Sequence, residues 1–180
     1  PEYKAVSIEQ FYAASDSYLA VKAQVVAVGA ETMVLNDGGE KCLYVYVGEE
    51  PGVVVGDVVQ VDGQNSTYGM AEAGYTQLRQ LKNVTITKIN DNITAKEIDP
   101  IALTSDQIDA PYSSAETSLV TIEGTVVECE IYGTPGMGAP GKNTEYAVYP
   151  DEKAFYENLD FFVMYDGMTN NKAIKDMPMG

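Results

Sequence analysis

The chain of 180 residues has no histidine, no tryptophan, two cysteines, and one arginine, Arg79, among 11 basic residues. Each shortage removes a class of chemistry. Without histidine there is no Ser-His-Asp or Cys-His catalysis, no imidazole acid–base step and no histidine metal ligation. Cys42 and Cys129 fall short of a four-ligand zinc site. They stand far apart in sequence and are expected as small, buried or half-buried hydrophobes rather than as a disulfide. No catalytic residue, cofactor or metal ligand is assigned. Calcium is less strongly excluded, because oxygen ligands are plentiful. No apolar run approaches the ~20 residues of a membrane-spanning helix. The charge is lopsided, with 27 acidic residues against 11 basic ones and a formal net charge of −16. Such a surface repels phosphate, whereas nucleic-acid binders usually carry a basic patch that releases counterions. The chain opens on Pro1, as a trimmed or mature form would, so the lack of a visible secretory signal carries no weight.

What is present is a folding sequence. Hydrophobic residues make up 45% of it, enough for one large or two small domains with cores of their own. The opening "VSIEQFYAASDS" reads as a short helix, with Ser7 as cap, Gln10 completing a capping box, and Ile8 and Phe11 at helical spacing. The period then changes. "YLAVKAQVVAV" sets Leu19, Val21, Ala23 and Val25 on one face and Lys22 and Gln24 on the other. "ETMVLNDGG" is a second strand ending in the turn signal Asn36-Asp37-Gly38-Gly39. "KCLYVYVG" is a third, "VVQVDG" a fourth, and "TQLRQLKNVTITKI" a fifth, reached through the polar loop "QNSTYGMAEAGY". Leu43, Val45 and Val47 against Val59 and Val61 are the expected core. Five short strands with turn-rich links suit a small closed barrel, which leaves no long exposed edge.

A second unit follows a polar, non-periodic stretch. "SLVTIEGTVVECEIYG" repeats the first strand of unit one, Ile122 to Val127 matching Val21 to Val26. "EYAVYP" and "DFFVMYDG" read as strands bracketing a short helical "DEKAFYENL", and "TPGMGAPGKNT" as a loop. No counterpart of "GDVVQVDG" appears before Gly180. The expected fold class is all-β: two tandem OB-like five-stranded barrels with short helices, the second incomplete at the C-terminus. The expected domains are 1–89 for the first barrel with its helix, 90–111 for a linker and 112–180 for the second unit.

The run of helix "SIEQFYAA", strand "VKAQVVAV", then "LNDGGEKCLYVYVG" and "VVVGDVVQVDG", resembles the tandem OB-fold modules of secreted and lipid-anchored Bacteroides-type proteins. These are commonly described as putative nucleic-acid-binding lipoproteins. The resemblance covers Val6 to Ile89 well and the second unit less well. It implies a binding or structural role at the periplasm or cell surface of a Gram-negative bacterium, with a lipid anchor upstream of Pro1. It implies no catalytic residues. Such modules usually carry a glycine in the middle of strand one. Gly124 fits that place, whereas the first unit has Ala23 there, which implies an altered bend.

The candidate ligand-binding residues lie on the outer face of strands two and three and the loop between strands four and five. They are Met33, Tyr44, Tyr46, Tyr68, Tyr75 and Arg79. Tyrosines at spacing two can stack bases or cover the apolar faces of sugars while their hydroxyls bond the edges. The same rings can instead be ordinary β-formers packed against the helix, the linker or the second unit. Three functions remain open: a non-catalytic module recognising a glycan or a protein partner, a single-stranded nucleic-acid binder, and a structural spacer. The acidic charge opposes the second. "MYDGMTNN", "LNDGGE" and "INDNIT" lack the acidic spacing of a calcium loop and read as turns. Neighbouring carboxylates such as Glu49-Glu50 are expected by chance in so acidic a chain, and no enzyme is inferred.

Overall fold

The computed structural model describes residues 1–68, 77–103, 115–129, 145–149 and 162–164, and beyond residue 125 only the backbone. The chain divides into two compact units. The first comprises Pro1–Tyr68, Gln77–Asp99 and Ala115–Ser118, the second Gly69–Thr76, Pro100–Ser114 and Leu119–Gly180.

The first unit opens with β1 (Lys4–Ala5) and α1 (Ile8–Ala13), followed by β2 (Tyr18–Val28), β3 (Thr32–Asn36), β4 (Cys42–Tyr46), β5 (Val58–Tyr68) and β6 (Leu78–Lys88). The strands run in the order β2-β3-β4-β6-β5, and β5 pairs back onto β2. This closes a five-stranded barrel. It is mixed, because β4 and β6 run parallel while the other barrel pairs are antiparallel. The closed Greek-key order is consistent with an OB-like fold. Leu43 and Val45 of β4 and Val59 and Val61 of β5 are fully buried, as the alternation requires, while Val47 packs against this core from its edge. Ala23, where a glycine was expected, is fully buried opposite Val59. The bend of β2 instead falls at a register shift between Val25 and Ala27 against β3.

The strand β5 runs on to Tyr68, so "QNSTY" pairs with β6 rather than starting a loop. The long β5–β6 ladder shifts register between Asp62 and Gln64. Gly63 sits at that shift because a Cβ there would lie 2.7 Å from Val84 Cγ1. Opposite it, Asn83 takes a left-handed φ of 50°, a conformation asparagine tolerates better than most residues.

The helix closes one end of the barrel. Ser7 and Gln10 form the expected capping box, and the Asp37 carboxylate accepts a further hydrogen bond from the Ile8 amide at 2.8 Å. The turn after β3 thus holds down the helix start. Ile8 and Phe11, one turn apart on a face, are fully buried.

Residues 90–99 belong to the first unit. The amide of Ala95 donates to Gln24 Oε1 and that of Lys96 to Asn36 Oδ1, both at 2.8 Å. Asn36 is fully buried. Its side-chain amide donates to the carbonyls of Gly39 and Lys41, and its oxygen also accepts from Gly38. A stretch that lacks periodicity is therefore held by backbone hydrogen bonds to two strand side chains, which no hydrophobic pattern announces.

In the second unit, β7 (Ile101–Leu103) pairs in parallel with β8 (Val120–Ile122). Strand β9 (Thr125–Cys129) pairs with β10 (Glu145–Tyr149), which pairs with β11 (Phe162–Met164), both antiparallel. The repeat of the first strand is broken at Glu123–Gly124, with β8 and β9 in separate sheets. The rest of the expected second barrel, with the helical "DEKAFYENL" and the loop "TPGMGAPGKNT", lies outside the described residues. Among the described residues no helix is long and apolar enough to cross a membrane.

Candidate functional site on the outer face of the barrel

Side chains of a strand alternate between the barrel interior and its outer surface. In the β3–β4 ladder Leu35 lies opposite Leu43 and Met33 opposite Val45. All four are fully buried. Met33 is therefore a core residue, and its expected place on the binding face is corrected. "TMVLN" carries apolar residues on both parities, so the sequence leaves open which of them turn inward, and pairing with β4 decides it.

Tyr44 and Tyr46 do point outward. Tyr44 is half-buried and has a partner, while Tyr46 is 41% exposed with its ring beside Gly48. Their neighbourhood differs from the expected one. The outward residues at both ends of β3, Thr32 and Asn36, are buried, Asn36 beneath the turn after β3 and residue 96. The accessible surface lies on the other side of β4, over β6 and β5. There Tyr44 faces Gln80, Gln80 faces Ser66, and Lys82 faces Gln64. Tyr68 ends β5 opposite Leu78 and is 63% exposed. Tyr18 of β2 faces Gln64 and is also exposed, its ring meeting Tyr3 edge-on at 5.8 Å. Exposed Tyr18, Tyr46 and Tyr68 thus surround half-buried Gln64, Ser66 and Lys82, while Gln80 between them is buried. Gln80, Gln64 and Tyr18 were not among the residues singled out from sequence. The order in which β4, β6 and β5 pair is what puts them beside Tyr44 and Tyr46, and strand alternation alone does not give that order.

Tyr75 lies outside the described residues. Arg79 does not lie on this face. It has the parity of buried Leu81, opposite to Gln80, and so turns toward the barrel end beneath α1. Its guanidinium donates to the carbonyl oxygens of Tyr12 and Ala14 and to Asn65 Oδ1, the last two at 2.9 Å. It also lies 5.1 Å from the Phe11 ring centroid. Asn65 donates to the Asp16 carbonyl at 3.1 Å. These donors satisfy carbonyls at a helix C-terminus, where orphan acceptors and the negative end of the dipole favour a cation. The one arginine is thus committed to folding rather than to a ligand.

A second polar cluster surrounds Tyr12. Its hydroxyl donates to the Cys42 carbonyl at 2.6 Å and accepts from the Thr117 amide at 3.2 Å. Burial pushes the Tyr12 phenol above its ordinary value. Burial likewise raises the Cys42 thiol, which is free and half-buried. The Lys41 ammonium lies 2.7 Å from Glu116 and 3.2 Å from Glu9. It also sits over the Tyr12 ring. The hydrogen bond that Lys41 donates to Glu116 raises the Lys41 pKa. Among the described residues no group of histidine, cysteine, aspartate and glutamate side chains could hold a metal ion.

Comparison with protein-family models finds no match to this chain, and comparison with curated proteins finds none either. The OB-like assignment rests on the order and direction of the five barrel strands.

Proposed function

We propose that the first unit is a non-catalytic binding module that takes a neutral glycan across the outer face of β4, β6 and β5. In the setting the resemblance implies, it is part of a bacterial envelope protein at the periplasm or cell surface. The observation that carries this reading is the ring of exposed Tyr18, Tyr46 and Tyr68 around half-buried Gln64 and Ser66. Aromatic faces cover the apolar sides of sugar rings, and amide and hydroxyl side chains bond their edges. Tyr46 and Tyr68 are separated by about four residues along the strands and two strands across, on the order of 16 Å. That span fits a short oligosaccharide rather than a single sugar. Single-stranded nucleic acid is disfavoured. Lys82 is the one cation within this set of residues, Arg79 is turned inward, and the net charge is −16.

The test is a titration of the purified chain with glycan and oligonucleotide panels at low and moderate salt. Glycan binding that changes little with salt and is lost in Tyr46→Ala with Tyr68→Ala is expected, because stacking and neutral hydrogen bonds are not screened. Tight, salt-resistant oligonucleotide binding lost in the same variant would overturn the reading. So would binding of neither ligand class.

A further inference from the structure

The parallel pairing of β4 with β6 is short. It comprises Tyr44 with Gln80 and Val45 with Leu81, although β4 begins at Cys42 and β6 at Leu78. Past this point the two strands separate, and residues 115–117 enter between them. The Arg79 amide donates to the Ala115 carbonyl at 2.9 Å. On the other side Cys42 and Thr117 form an antiparallel bridge. Tyr12 holds the Thr117 amide, and Lys41 holds the Glu116 carboxylate. This is strand addition within one chain. The backbone is read on both sides and one acidic side chain is read by a lysine. The fit has a flaw: Thr117 Oγ1 is buried with no hydrogen-bond partner, which costs free energy relative to an apolar group of the same shape.

We propose that the cleft between β4 and β6 is a capture groove for an extended segment of another protein, and that Ala115–Ser118 occupies it in cis as a competitor. The preferred segment has a small residue, then an acidic one, then a β-branched residue. Valine suits the third position better than the threonine the chain supplies. This groove adjoins the tyrosine face at Tyr44 and Gln80, and a peptide rather than a glycan reports on it.

The probe is a fluorescein-labelled peptide of the sequence Ser114 to Ser118, added to the full chain, with versions carrying valine for Thr117 or lysine for Glu116. In cis, Thr117→Pro removes the amide that donates to the Tyr12 hydroxyl, and Glu116→Gln removes the charge that pairs with Lys41. Occupation in cis lowers apparent affinity by the fraction of time the groove is open. The Thr117→Pro chain should therefore bind the peptide about tenfold or more tighter than the parent. The Glu116→Gln chain should gain about threefold, as expected of a partly exposed ion pair. The valine peptide should bind about fivefold or more tighter than the threonine peptide, and the lysine peptide should lose binding. If Thr117→Pro fails to fold, Glu116→Gln with the valine and lysine peptides decides. No gain in Glu116→Gln, or equal binding of the lysine peptide, overturns the proposal.

Discussion

Replacing Arg79 tests whether the one arginine holds the fold or serves a ligand. Its guanidinium serves three acceptors, the carbonyls of Tyr12 and Ala14 and the side chain of Asn65, and lies over Phe11. Hydrogen bonds to a charged group are worth about 1.5–3 kcal/mol each. They share one donor group, so their losses do not add in full. Arg79→Ala should cost roughly 3–5 kcal/mol, since it also leaves helix-end carbonyls without a donor. At about 4–8 °C per kcal/mol for a domain of this size, the first unit's melting temperature should fall by about 12 °C or more. Arg79→Lys keeps the charge but lacks the planar fork that reaches three acceptors at once. It should recover part of the loss, leaving a deficit of about 1–2 kcal/mol. Thermal denaturation followed by circular dichroism, with hydrogen exchange of the α1 amides, measures both. The α1 amides should lose protection before those of β2. A melting point for Arg79→Ala within about 2 °C of the parent would refute the reasoning and return the arginine to the list of ligand candidates.

Val45 is fully buried opposite Met33 and beside Leu81. Val45→Asp should therefore unfold the first unit, because an unpaired buried charge costs several kcal/mol. A variant with parental melting would show the register to be wrong. Gly63→Ala should cost about 1–3 kcal/mol by overpacking, since its Cβ would lie 2.7 Å from Val84 Cγ1. Adding Val84→Ala should recover part of this loss in a double-mutant cycle. The hydrogen bond with Lys88, aided by the Val54 amide, holds the Asp57 carboxyl below its ordinary 3.8. A lowered carboxyl stabilises the fold above the unfolded value, and that contribution is lost as pH falls through the folded value. Urea midpoints should therefore drop below about pH 4, and Asp57→Asn should lessen the drop. For Tyr12 the sign is reversed: burial raises a group that is neutral when protonated. Stability should fall above pH 10 as the unfolded chain ionises first, and Tyr12→Phe should remove that part of the slope.

Local rules were enough for much of the barrel. The alternation of "YLAVKAQVVAV" corresponds to β2, Tyr18–Val28, with Leu19, Val21, Ala23 and Val25 inward. Ser7 and Gln10 mark the helix start because a capping box involves residues three apart in the chain. Inward Leu43 and Val45 follow from a strand with one apolar face. These features depend on neighbours within a few residues, and sequence displays such neighbours directly.

Other features depended on which strands meet. Met33 is expected on the outer face, and pairing with Val45 turns it into the core. Tyr68 looks like a loop residue because "QNSTY" is polar, yet pairing with Leu78 keeps it in a strand. Arg79 and Gln80 are adjacent in sequence, and one residue of parity sends the first beneath the helix and the second to the tyrosine face. Asn36 holds Lys96 across 60 residues and Tyr12 holds Thr117 across 105. Such bonds leave no periodic trace, because a buried polar group needs only one well-placed partner, and the partner can come from anywhere in the chain. Sequence by itself determined the inward pattern of β2, β4 and the first half of β5, the helix start and the sign of the net charge. The tertiary structure alone decided which outer face is open and which residues line it, because both follow from long-range pairing rather than from local composition.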